Sequence, residues 1–183
     1  ADVIPLEGTK LAPKIATLSR KIEVYGEAPP ALEASAGEGG TEPRLGSQRM
    51  LESLKAFMAE GSDTLVYVHG YVVSFSDAVG AALALQTKLR GDGLPIRVVL
   101  FTWPSDGSNM YDAYKSDRND ASASGVAFAR AFLKLRDFLL ALPEKEHCGR
   151  QVHLLCHSMG NYLLESAVRR LAEMAGGRFP RVF

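Results

Sequence analysis

Three short apolar runs punctuate this chain: Thr64 to His69 (TLVYVH), Ile96 to Trp103 (IRVVLFTW) and Gln151 to Cys156 (QVHLLC). Each is rich in β-branched or large apolar residues and lacks the polar alternation of a half-exposed strand. Such runs read as strands buried on both faces. Helical stretches separate them. Strands alternating with helices predict an α/β fold, a mostly parallel sheet with helices on both faces.

The helices have recognisable ends. Ser47 is placed to cap a helix whose face carries Met50, Leu51, Leu54, Phe57 and Met58, with Gly61 as its stop. Ser76 is placed to cap a second over Asp77 to Arg90, closed by Gly91. A polar loop is expected from Pro104 to about Asn119. A long helix then runs from about Ala121 to Leu142 on the stripe Phe128, Phe132, Leu135, Leu139 and Leu142, and Pro143 stops it. A last helix, Asn161 to Ala175, carries Leu164, Ala167, Val168 and Leu171 on one side and ends at Gly176 and Gly177.

Residues 1–46 read differently. Lys14 to Tyr25 suits one or two short strands, and Gly26 to Gly46 is a flexible Gly/Pro-rich loop. The division is therefore an N-terminal segment, 1–46, and an α/β core, 47–183.

Composition removes several classes of function. Lys+Arg and Asp+Glu number 21 each, so no field favours nucleic acid or an anionic membrane. No run of about 18 apolar residues suggests a membrane span. Two cysteines, Cys148 and Cys156, make neither a disulfide framework nor a metal-ligand pattern. No metal and no organic cofactor is implied. Reduced thiols and a start without an intact signal peptide point to the cytoplasm, although a processed secreted protein would begin in the same way.

Ligands on parallel sheets bind at the carboxyl ends of the strands. That directs attention to His69-Gly70-Tyr71, to the loop after Trp103, and to Cys156-His157-Ser158-Met159-Gly160. In the last of these a serine is squeezed between a strand end and a helix start. Small residues two before and two after it relieve the crowding of a very tight turn. The turn lifts Ser158 Oγ above the sheet, over a helix N-terminus that favours developing negative charge.

This segment resembles the G-x-S-x-G nucleophile elbow of the α/β-hydrolase superfamily, with Cys156 in place of the first glycine. His69-Gly70-Tyr71 resembles the family's HG oxyanion-loop motif. The stretches LFTWPSDG and LLCHSMGN resemble a bacterial subgroup of these hydrolases with largely uncharacterised substrates. The resemblance covers Ser47 to Phe183. It implies that Ser158 attacks an acyl carbonyl, and that the backbone N–H groups of Tyr71 and Met159 form the oxyanion hole. It implies further that His69 and Gly70 support the oxyanion loop, and that Cys156, His157 and Gly160 support the elbow. His69 and His157 are not expected to act as the base. His153 is expected in the core and His147 in solvent. Trp103, Met110, Tyr111 and Tyr114 would wall the substrate pocket, or belong to a surface loop with one aromatic tucked beneath it.

The family's triad order is Ser, then Asp or Glu, then His. After Ser158 this sequence has only Glu165 and Glu173, and no histidine. Arg181-Val182-Phe183 reads as the start of a further strand. The expectation is that the natural protein continues, and that a C-terminal half stays associated and supplies the acid and the histidine. Two functions follow. One is a serine hydrolase acting on small-molecule carboxylic esters, as a carboxylesterase or lipase does. The other is a non-catalytic module that binds ligands in the same cleft.

Overall fold

The computed structural model describes Gly26 and residues 45–105, 111–143 and 149–174, with the backbone alone at 111–113. Most of the segment 1–46, His147, Cys148 and the strand expected at Arg181 lie outside the described residues. The elements in chain order are α1 (Gly46–Ala59), β1 (Asp63–Val68), α2 (Phe75–Gly91), β2 (Ile96–Phe101), α3 (Tyr111–Leu140), β3 (Val152–Cys156) and α4 (Gly160–Met174).

The three strands pair in the order β2-β1-β3, all parallel. The register places Val66 between Val99 and Leu154, and Val68 between Phe101 and Cys156. The path β1–α2–β2 runs one way along the sheet, and β2–α3–β3 runs back across β1. Right-handed crossovers in opposite directions put α2 and α3 on opposite faces. One face is covered by α1, α3 and α4. Leu51, Leu54 and Met58 of α1 meet Leu135 of α3 over Val66, Val99 and Val152. Phe128 of α3 and Leu163 and Ala167 of α4 close over Val68 and Phe101. Each fully buried aliphatic side chain in these clusters contributes about 1.5–3 kcal/mol. Among the described residues no helix is long and apolar enough to cross a membrane.

The caps refine the sequence reading. Ser74, not Ser76, is the N-cap of α2; its side chain accepts from the Asp77 N–H at 3.2 Å. Ser47 lies inside the first turn of α1, where its hydroxyl accepts from Lys134 Nζ. Gly61 ends α1 as expected. The Gly61 N–H reaches Met58 O and the Ser62 N–H reaches Phe57 O, the paired bonds of a Schellman turn. α2 ends with the same pair of bonds, and Gly93 (φ +83°), two residues further on, takes the role expected of Gly91.

The larger correction concerns α3. It begins at Tyr111, so residues 111–119, expected as loop, are helical. The segment YDAYKSDRND has no Gly or Pro to stop a helix. Its inward position is held by Asp117, fully buried and in line with Ala121, Gly125 and Phe128 at steps of three and four. A polar residue at a core position conceals the stripe from a hydrophobicity reading. His153 also departs from expectation. It is exposed on β3 and faces Asp63 across 3.6 Å, because β3 has β1 on one side only among the described residues.

Candidate active site

The ends of β1 and β3 meet where the crossovers diverge, the usual binding crevice of such sheets. Two glycines allow this approach. A Cβ on Gly70 would sit 2.7 Å from His157 Nδ1 and 2.9 Å from Ser158 Cβ. A Cβ on Gly160 would sit 2.9 Å from His69 O and 3.1 Å from Val68 O. The His157 N–H donates to Val68 O at 3.0 Å and ties the two strand ends together.

Ser158 stands between β3 and α4 with φ +50°, in the left-handed region. It is exposed, whereas Met159 and Gly160 after it are buried. Asn161 fixes the turn, its Nδ2 donating to Ser158 O at 2.9 Å. The residue at the sharpest point of the turn thus carries an accessible hydroxyl at the start of a 15-residue helix. Cys156 closes β3 beneath it. Burial pushes that thiol up to about 11, so it packs against the core as an unreactive side chain.

His69 is buried and both ring nitrogens are engaged. Nδ1 lies 3.1 Å from Gly70 O, and Nε2 accepts from the Trp103 N–H at 3.2 Å and contacts Thr102 Oγ1 at 3.1 Å. These partners define the Nδ1–H tautomer. Burial lowers its pKa, against opposing pulls that include Gly70 O and the Asp117 charge. Trp103 stacks on the imidazole at 5.1 Å and donates from Nε1 to His69 O. It is 4% exposed and serves as the aromatic tucked under the loop, not as an open pocket wall. His157 is exposed, with its ring against Gly70. Met110 and the Tyr111 side chain lie outside the described residues.

The loop after β1 contains features that sequence reasoning missed. Val72 has φ +58°, a rare conformation for a β-branched residue that costs about 1–3 kcal/mol. The neighbouring Val73 N–H donates to Ser105 Oγ at 3.4 Å, and Ser105 Oγ donates to the buried Asp117 Oδ2 at 2.5 Å. The Tyr71 ring meets Tyr114 edge-on at 5.3 Å. Ser105 and Asp117 both fall in the stretch expected as a polar loop, and nothing in the sequence pointed to their pairing. A surface cleft of about 580 Å³ between α3 and α4, lined by Lys115, Arg118, Tyr162 and Arg169 among others, does not include Ser158.

A parallel sheet, a serine on a left-handed strand-to-helix turn and a glycine-relieved loop beside it define the α/β-hydrolase class. Residues 47–181 match the family described as alpha/beta hydrolase of unknown function (DUF900). The chain belongs to that family. No curated protein and no solved structure matches it.

Proposed function

We propose that this α/β-hydrolase cleaves carboxylic esters through an acyl-enzyme on Ser158. The observation that carries the reading is Ser158 itself, exposed at φ +50° between β3 and α4 and backed against Gly70. In this reading Ser158 Oγ attacks the acyl carbonyl of a small-molecule substrate. The Met159 and Tyr71 N–H groups stabilise the oxyanion, each by about 3 kcal/mol, and the N-terminus of α4 adds to the favourable field. His69 braces the oxyanion loop, since both its nitrogens are already committed. In the order usual for this fold the carboxylate and the proton-accepting histidine follow the nucleophile, and among these 183 residues no histidine follows Ser158.

A fluorophosphonate probe on the full-length protein tests this. The expected result is one phosphonyl adduct by intact mass, located at Ser158 and lost in Ser158→Ala. Absence of labelling would favour the second reading, a binding module that keeps the elbow without the chemistry.

A further inference from the structure

We propose that Ser105 and Asp117 are positioning residues for the oxyanion loop, holding Val72 in its left-handed conformation so that the Tyr71 N–H stays aimed at the reacting carbonyl. The proposal rests on the reading of Ser158 as nucleophile. The loop after β1 leaves a fully buried strand end and turns at Val72, where a β-branched residue does not settle unaided. Something must hold it there, and the contacts on both sides supply the hold. On one side the Tyr71 ring packs edge-on against Tyr114. On the other the Val73 N–H donates to Ser105 Oγ. Ser105 is in turn oriented by Asp117, a carboxylate with no exposed surface. Tyr114 and Asp117 are both on the first turns of α3. The hydroxyl is the adaptable link: it gives its proton to Asp117 and keeps its lone pairs for the Val73 N–H.

A carboxylate buried only for stability would be an odd choice, since an apolar residue would fill the same place without a desolvation cost. A carboxylate that fixes the direction of one hydroxyl, and through it a strained peptide, has a use at this position. The chain of contacts also ties the exits of β1 and β2 to α3, three elements that converge on the site.

The test measures phosphonylation of Ser158 in the full-length protein. In that step the Ser158 Oγ–P bond forms, the P–F bond breaks, fluoride leaves and the serine proton passes to the base. Ser105→Ala is expected to lower the second-order labelling rate by about tenfold or more, the scale of a weakened oxyanion donor. Asp117→Ala is expected to do the same, while Asp117→Asn, which keeps an acceptor for the Ser105 hydroxyl, retains most of the rate. The decisive variant is Val72→Gly in the Ser105→Ala background. Glycine adopts the left-handed conformation without strain, so it should restore the rate to within about threefold of the parent. Loss of a merely structural contact would not be rescued in this way. Amide hydrogen exchange over residues 70–74 supplies a readout independent of activity, and Ser105→Ala should raise it. A normal labelling rate in Ser105→Ala, or a lowered one that Val72→Gly does not recover, overturns the proposal. Unlabelled wild-type protein whose loop exchange rises in Ser105→Ala overturns the catalytic reading while leaving the tether intact. Unchanged exchange in Ser105→Ala overturns the tether itself.

Discussion

At the scale of single residues, the site depends on where a Cβ is absent. The Cβ of Gly160→Ala would meet two backbone oxygens, which cannot rotate away. We expect a loss of about 1–3 kcal/mol in urea denaturation, together with weakened labelling of Ser158. Gly91 is the contrasting case, with nothing within 4 Å of its would-be Cβ in the last turn of α2. Gly91→Ala should stabilise by up to about 1 kcal/mol through helix propensity and reduced freedom of the unfolded chain. His69 gives a dependence on pH. Its pKa is lowered in the fold, so the unfolded chain takes up the proton first as pH falls. Its contribution is complete above the ordinary value of 6.5 and shrinks as pH drops from there towards the folded value. The slope should not exceed about 1.4 kcal/mol per pH unit. Urea midpoints between pH 7.5 and 5 should show this loss, and His69→Asn should flatten it. Ser158 and Gly160 were legible because a serine squeezed between a strand end and a helix start needs small neighbours around a tight turn, and Gly70 through its resemblance to the family's oxyanion-loop motif. Val72 was not, because nothing local favours a left-handed valine and only its tethers hold it.

At the scale of elements, the instructive case is α3. Its apolar half was legible from Phe128 onward, whereas its first turns read as loop because Asp117 occupies an inward position. The carboxylate accepts from Ser105, which comes from a different part of the chain. The crossing of α3 with α4 is set by small residues. A Cβ on Gly125 would lie 2.6 Å from Ser166 Cβ and 2.8 Å from the Ala167 nitrogen, and Ser166 Oγ donates to Ser122 O at 2.7 Å. Two effects compete in Gly125→Ala. Helix propensity favours alanine by about 0.8–1 kcal/mol. The overlap with a neighbouring helix costs about 1–3 kcal/mol, and the backbone atom in the contact cannot yield. The overlap should win, so thermal denaturation should show a net loss for Gly125→Ala where it shows a gain for Gly91→Ala.

At the scale of the whole molecule, the crossover pattern places β1 centrally and brings the β1 and β3 exits together. It also leaves β3 at the edge of the described sheet, with Leu154 and Leu155 more than 40% exposed on opposite faces. An apolar edge strand is a template for pairing with another chain. A β3 edge left uncovered would self-associate with concentration in sedimentation velocity, and Leu155→Lys would suppress this. By itself the sequence determined the α/β class, the three strands, the Gly61 stop of α1 and the serine at the elbow. Each of those depends on local patterns of apolar residues, glycines and caps within a dozen positions. Only the tertiary structure decided that Trp103 lies beneath the loop, that His69 spends both nitrogens on bracing it, and that Asp117 reaches Val73 through Ser105. Those contacts join residues far apart in the chain, and a buried hydrogen bond leaves no periodic trace in the sequence that makes it. The elbow could be read from five residues, but the loop facing it is held by contacts from three elements of the fold.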